Sequence, residues 1–178
     1  SALLVMTVLS IISQHQLNEA VENLGRSRRD KLVAIANLNT ATSDYRGYEA
    51  AMILAEDANS LNAMDRVVKE RVAMIDKNVE YLNLNFKAPK AIAQFGVFKE
   101  RWGAFMDMSR KTVALARQGQ DREALASYRA SQRVFDRANA DAAVMQDIQI
   151  ELMDKEMAAA STDYIWSRNA SIAISVIV

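Results

Sequence analysis

The stretch Arg117-Gln118-Gly119-Gln120-Asp121 is one of three short interruptions in a sequence that otherwise has the pattern of long helices. A basic residue is favourable in the last turn of a helix, and glycine readily adopts the left-handed conformation that ends one. Aspartate is a preferred cap for the start of the following helix. The stretch therefore predicts that one helix ends at 118 and that the next begins at 121.

Two further interruptions lie N-terminal to it. Glu56-Asp57-Ala58-Asn59-Ser60 contains the cap-forming residues Asn59 and Ser60, and Asn83-Leu-Asn-Phe-Lys-Ala-Pro89 ends in a proline, which suits the first turn of a helix. The three interruptions divide the chain into four predicted helices, 1–57, 60–84, 89–118 and 121–178.

The composition and the apolar pattern favour an all-helical fold. The 178 residues include only 5 glycines and 1 proline, which are too few for the turns of a strand-rich protein. Apolar residues recur at three- and four-residue spacing in each predicted helix, and short connections make neighbouring helices antiparallel. The sequence predicts an all-α, antiparallel, up-down-up-down four-helix bundle.

The same composition argues against several classes of function. The chain has no cysteine and 1 histidine, His15, which excludes cysteine–zinc sites, iron–sulfur clusters and a di-iron bundle. Its 22 basic and 22 acidic residues balance, which argues against nucleic acid as the main partner. No nucleophile is paired with a base. We therefore expect no enzyme, no cofactor and no metal site.

Both ends of the sequence are uncharged. Residues 1–13 and 170–178 carry no charged side chain, and Trp166 precedes the second run as an interfacial anchor would. Each run is about half the roughly 20 residues of a spanning helix. We interpret 1–13 as the end of one membrane helix and 169–178 as the start of another, with a bundle domain at 14–168. Buried helix ends in a soluble core are the alternative.

The predicted lengths agree with that interpretation. At 1.5 Å per residue, helices 1 and 4 would be about 85 Å long and helices 2 and 3 about 40 Å. The two long outer helices would rise from the membrane together, and the two short ones would complete the bundle away from it.

Three stretches of this sequence resemble the four-helix-bundle sensory domain of bacterial methyl-accepting chemotaxis receptors. They are Ser43-Asp-Tyr-Arg-Gly-Tyr-Glu-Ala-Ala-Met-Ile-Leu-Ala-Glu-Asp57, Lys99-Glu-Arg-Trp102 and Val113-Ala-Leu-Ala-Arg-Gln-Gly-Gln-Asp-Arg-Glu-Ala-Leu125. The similarity extends from about Gln14 to Arg168.

The resemblance implies a periplasmic domain of an inner-membrane receptor that forms a homodimer or higher homo-oligomer. It also implies that helix 4 moves against helix 1, and that a HAMP relay and a kinase-control module follow in the full-length protein. In the family's amino-acid receptors, several arginines late in helix 1 and polar residues early in helix 4 bind the ligand. Here only Arg46 lies in that part of helix 1, so an aspartate- or serine-like pocket is not carried over.

A carboxylate ligand requires fixed donors, and a guanidinium binds it through two parallel hydrogen bonds. Arg110 and Arg117 share one face of helix 3, Arg46 lies at the same level on helix 1, and helix 4 supplies further polar groups. The predicted ligand-binding residues are Arg46, Arg110, Arg117, Tyr128, Arg129, Ser131, Tyr45 and Thr42. Any single arginine among them could instead be a surface ion-pair partner.

The sequence thus predicts a sensory domain for a small organic acid, with a di- or tricarboxylate such as malate or citrate favoured and aromatic acids left open. Two alternatives remain open. The chain could be the sensor of a histidine kinase, or an interaction module that binds no small ligand and reads a periplasmic binding protein at its tip.

Overall fold

The computed structural model describes the backbone of residues 2–177 and the side chains of residues 25–159 and 162. Four helices and no strand occur in this part of the chain. They are α1 (Ala2–Ile53), α2 (Ala58–Asn85), α3 (Pro89–Arg117) and α4 (Asp121–Ile177). The all-helical prediction with four helices is confirmed.

The first predicted turn lies a few residues too far along the chain. Helix α1 ends at Ile53 rather than 57, and α2 begins at Ala58 rather than 60. The cap of α2 is Asp57, whose extended backbone lets its carboxylate accept the backbone N–H of Ser60 at 2.7 Å. That bond lowers the pKa of Asp57 because the N–H groups favour the ionised carboxylate.

The turn between α3 and α4 forms as the sequence predicts. Gly119 adopts a φ of 68°, which is accessible to glycine without strain. This conformation lets the N–H of Gly119 donate to the carbonyl of Ala116 at 3.1 Å and the N–H of Gln120 donate to that of Leu115 at 3.0 Å. The pair of bonds is a Schellman motif, which satisfies carbonyls at the end of α3.

The chain forms two compact units, Lys31–Ile148 and the pair of segments Ser1–Asp30 and Gln149–Val178. The core of the 31–148 unit contains a set of buried aromatic side chains among smaller aliphatic ones. Most of these rings lie on one face of α3 because they recur at three- and four-residue spacing, and Phe98 and Phe105 are fully buried there. Phe135 of α4 packs against Phe105 with the ring centroids 5.2 Å apart. Each such ring contributes about 1.5–3 kcal/mol by its burial.

Contacts between α3 and α4 connect higher residue numbers on one helix with lower numbers on the other. Gln94 and Arg101 both reach Asp141, whereas Thr112 reaches Ser127. This register brings the C-terminal half of α3 to the N-terminal part of α4, where the polar residues described below are found.

In the other unit, Arg28 connects the two long helices. Arg28 of α1 donates from Nε to Glu156 of α4 at 2.9 Å and from Nη1 to Oε1 of Gln149 at 2.9 Å. Its Nη2 pairs with the second carboxylate oxygen of Glu156. The ion pair is therefore bidentate, a geometry that only arginine provides.

None of the helices is apolar over a long enough stretch to cross a membrane, as far as the described residues extend. The side chains of both predicted membrane segments, 1–13 and 169–178, lie outside the described residues.

Candidate functional site

A group of polar side chains interrupts the apolar core of the 31–148 unit near the C-terminal end of α1. Arg46 is 5% exposed and Glu49 is fully buried, because both lie on the inward face of α1 with Tyr45 and Met52. Charged side chains are almost never fully buried unless they are paired. The partners of these two residues therefore define the site.

Arg46 donates hydrogen bonds from both terminal nitrogens of its guanidinium. Nη1 donates to Oε2 of Glu49 at 2.7 Å and to Oγ of Ser131 at 3.0 Å. Nη2 donates to the backbone carbonyl of Tyr128 at 2.6 Å and to Oε1 of Gln132 at 3.0 Å. One side chain of α1 is thereby bonded to three residues within about one turn of α4.

The guanidinium also lies over an aromatic ring. Its central carbon is 3.4 Å from the centroid of the Tyr128 ring, and the rings of Phe105 and Phe135 lie 5.4 and 5.6 Å away. A buried cation over an aromatic face is stabilised by about 2 kcal/mol. The Nε–H of Arg46 is buried and has no hydrogen-bond partner.

Glu49 receives hydrogen bonds from two helices. Besides the bond from Arg46, its Oε1 accepts the hydroxyl of Ser109 of α3 at 2.6 Å. Because the one proton of Ser109 is directed to Glu49, the hydroxyl of Tyr45 donates to Oγ of Ser109 at 2.7 Å. The result is a continuous polar chain from Tyr45 through Ser109 and Glu49 to Arg46.

Burial controls the protonation states of Glu49 and Tyr45. Removal from water raises the pKa of Glu49, and the hydrogen bonds from Ser109 and Arg46 offset only part of that effect. Burial likewise raises the pKa of Tyr45, which stays neutral to higher pH than an exposed tyrosine. We call these residues, Tyr45, Arg46, Glu49, Ser109, Tyr128, Ser131 and Gln132, the arginine cluster.

A family model described as a four helix bundle sensory module for signal transduction matches residues 1–164. The chain belongs to this family. The resemblance to the sensory domains of methyl-accepting chemotaxis proteins is confirmed, and the family is an extracellular sensory module of membrane receptors. A search among characterised proteins and a search among solved structures each found no match.

Half of the ligand-binding residues predicted for this sensory module come together in the structure. Arg46, Tyr45, Tyr128 and Ser131 all belong to the arginine cluster. Thr42 is buried one turn before Arg46, but its hydroxyl donates to the backbone carbonyl of Asn39 at 2.9 Å and not to the cluster.

The other three arginines do not join Arg46. Arg110 is exposed and pairs with Asp107 of its own helix, and Arg129 is exposed on α4. Arg117 pairs with Asp65 of α2, and this pairing lowers the pKa of the Asp65 carboxyl. The expected convergence of arginines from helices 1, 3 and 4 therefore does not occur, because positions 110 and 117 follow the inward positions of α3 by one residue, a rotation of about 100°.

Glu49, Ser109 and Gln132 belong to the arginine cluster but are not among the predicted ligand-binding residues. A usable signal exists for the first two. Glu49 lies at the spacing of the apolar stripe between Tyr45 and Met52, and Ser109 lies midway between Phe105 and Val113. A polar residue at a core position of a helix is costly unless it is satisfied, so these two positions indicate a buried polar interaction.

The chemistry available to the arginine cluster is recognition of anions through a guanidinium and hydroxyl groups. Across the described part of the chain, no group of three or more histidine, cysteine, aspartate or glutamate side chains is arranged to hold a metal ion.

Proposed function

We propose that this chain is the periplasmic sensory domain of an inner-membrane chemotaxis receptor, and that it binds a small organic acid at the arginine cluster. Membership of the family supports the sensory role. The observation that carries the binding proposal is the buried guanidinium of Arg46. Its partners on α4 are neutral hydroxyl and carbonyl groups, and among the described side chains Glu49 is its one carboxylate partner.

The chemistry favours an acid over a neutral ligand. A guanidinium binds a carboxylate through two charge-assisted hydrogen bonds, and Ser131 and Tyr45 add hydroxyl groups nearby. The exposed Arg110, Arg117 and Arg129 attract an anion with more than one negative charge to this unit more strongly than a monocarboxylate. This favours di- and tricarboxylates such as malate or citrate.

The three exposed arginines have a separate role in this proposal. Arg110, Arg117 and Arg129 raise the local concentration of an anion from the surface of the unit, without joining Arg46. Thr42 lies one turn below Arg46 and lines the inner end of the site. Such surface charges contribute mainly to the association rate, so removing one of them weakens binding less than removing Arg46.

The signal would be a displacement of α4 relative to α1. The hydrogen bonds of Arg46 support this proposal, because they connect α1 to Tyr128, Ser131 and Gln132 of α4. A ligand that takes over some of these hydrogen bonds changes the preferred position of α4. The ligand can shift the equilibrium between two positions of α4 only by as much as its affinities for the two positions differ.

The proposed membrane arrangement is an antiparallel up-down-up-down bundle in which α1 and α4 continue into membrane helices, followed by a HAMP relay and a kinase-control module. The register of the contacts between α3 and α4 supports the antiparallel arrangement. Two chains would pair through α1. Its exposed residues from 33 to 47 are Val33, Ala36, Asn37, Thr40, Ser43 and Gly47, all uncharged, and the side chain of Asp44 among them is partly exposed.

A thermal-shift screen of the purified chain against malate, citrate, neutral amino acids and aromatic acids tests the proposal. A ligand at about 100 times its dissociation constant stabilises the folded state by about 2.7 kcal/mol, which corresponds to several degrees. Arg46→Gln should abolish the shift, and Arg110→Gln should retain it. Absence of any shift across the panel would favour a protein partner.

A further inference from the structure

The guanidinium of Arg46 already holds a carboxylate, and that carboxylate belongs to the chain itself. Glu49 is fully buried, comes from the same helix one turn later, and contacts Nη1 at 2.7 Å. Ser109 binds its other oxygen. In a site for carboxylate ligands, this is the arrangement that a bound ligand would have.

We infer that Glu49 is a built-in competitor that closes the site: it occupies the place on Arg46 that a ligand carboxylate takes, and it leaves that place when the ligand binds. The inference rests on the proposed function, because it describes the regulation of the same site.

Replacement of Glu49 by the ligand carboxylate also changes the balance of buried charges. Before it, the pair Arg46⁺ and Glu49⁻ is neutral. After it, the ligand carboxylate neutralises Arg46, and Glu49 would be left as an anion in the core without a cation. A buried carboxylate without a partner takes up a proton instead, because desolvation strongly disfavours its charged form. Binding of one ligand carboxylate is therefore accompanied by uptake of one proton from solvent by Glu49.

The groups around Glu49 allow it to become neutral. On α1 the neighbouring titratable groups are Arg46 and Tyr45, and from α4 the ring of Tyr128 covers the guanidinium. From α3, Ser109 and Thr112 offer hydroxyls that bond either form of the carboxyl.

Three cations of α2 and α3 near this part of α1 have other partners, and Arg129 and Arg133 of α4 are exposed. Arg110 and Arg117 of α3 are paired with Asp107 and Asp65. On α2, Arg71 pairs with Asp44 at 3.4 Å and lies over the ring of Tyr48. Arg46 is therefore the cation that holds Glu49 ionised, and burial already raises the pKa of Glu49 while that cation is present.

The first experiment measures malate binding by calorimetry over a pH range in which malate is fully ionised. The wild-type dissociation constant should rise with pH, by up to about tenfold per unit, since binding takes up a proton. Glu49→Gln keeps the shape of the side chain but cannot compete as an anion. It should bind malate at least about tenfold more tightly at neutral pH and with little pH dependence. Equal affinity and equal pH dependence in the two proteins would overturn the inference.

The second experiment does not depend on the natural ligand. In Glu49→Ala, the guanidinium of Arg46 loses its carboxylate and gains an adjacent space. Acetate should fill that space and raise the melting temperature by several degrees over equal concentrations of chloride. If the variant is unfolded alone, acetate should restore its helical circular dichroism. No response to acetate would overturn the inference.

Two controls isolate the effect. Asp107→Ala removes a carboxylate from Arg110 at the same three-residue separation but at the surface, so acetate should have no effect on it. The double variant Arg46→Gln/Glu49→Ala lacks the cation and should also be unresponsive.

The outcomes separate the two proposals. Rescue by acetate without any response of the wild type to the acid panel would support the closed carboxylate site and contradict the proposed ligand class. A response of the wild type to malate without rescue of Glu49→Ala would support the proposed function and overturn the role of Glu49.

Discussion

Two ion pairs of this sensory module have the same chemistry and the same separation along the helix, but different surroundings. Arg46 and Glu49 on α1 are three residues apart and buried, whereas Arg110 and Asp107 on α3 are three residues apart with about two-thirds or more of each side chain exposed. An exposed pair contributes between zero and about 1 kcal/mol, while breaking a buried pair costs about 3–5 kcal/mol. Burial, and not the identity of the residues, gives the first pair its importance.

The largest expected effect is the loss of the buried cation. Arg46→Met leaves Glu49 in the core without its ion-pair partner and should lower the free energy of unfolding by about 3–5 kcal/mol at neutral pH. Arg110→Met is the matched surface variant and should change it by less than about 0.5 kcal/mol. Urea denaturation of both measures the difference, and equal losses would contradict the comparison.

The next effect concerns pH. The pKa of Glu49 in the folded state lies above its ordinary value of 4.5, so the folded chain binds more protons than the unfolded one. Its contribution to stability is therefore fully present below pH 4.5 and is lost as the pH rises through the folded pKa.

Glu49→Gln removes this dependence. The stability of the wild type minus that of Glu49→Gln should decrease as the pH rises through this window, with a slope of up to about 1.4 kcal/mol per unit. Denaturation of both proteins at a series of pH values checks it. A difference that increases with pH would show that the pKa of Glu49 is lowered instead.

A smaller effect is expected at the hydroxyl that links Tyr45 to Glu49. Ser109→Ala removes both hydrogen bonds of Ser109 and leaves two buried polar atoms with one partner fewer, which should cost about 1–3 kcal/mol. Ser43→Ala, at an exposed position of α1, should be nearly neutral. Thermal unfolding distinguishes the two, and a neutral Ser109→Ala would mean that water replaces the hydroxyl.

The smallest expected effect has the opposite pH dependence. The bonds from Arg117 and Lys69 lower the pKa of Asp65 below 3.8, so its stabilisation is present above that pH and is lost as the pH falls through the folded pKa. Asp65→Asn should cost less than about 1 kcal/mol at neutral pH and nothing in strong acid, because the pair is partly solvated. Acid titration of unfolding tests this, and an unchanged titration curve would contradict it.

Arg46 and Arg110 also mark the limit of what could be predicted. The apolar repeat of α3 predicts its inward face, and Phe105, Ser109 and Val113 all lie there. Because Arg110 follows Ser109 by one residue, it points about 100° away from that face. Arg110 and Arg117 do share one face of α3, as predicted, but that face is not the one directed at Arg46. The three-residue separation of Arg46 and Glu49 predicts that they can form an ion pair, but it does not distinguish a buried pair from one on the surface.

The sequence by itself determined the four helices, the turn at Gly119 and the family of the chain. These follow from short-range rules: helix periodicity, capping and the left-handed conformation that glycine adopts without strain. Only the tertiary structure decided that Arg46 reaches Ser131 and Gln132 of α4 and that Ser109 of α3 reaches Glu49. Helix periodicity specifies which residues share a face of one helix, but not which residues of another helix lie opposite. The packing of the helices against each other also decides which ion pairs are removed from water. The strength of the Arg46–Glu49 pair depends on that removal, so it too is decided by the tertiary structure.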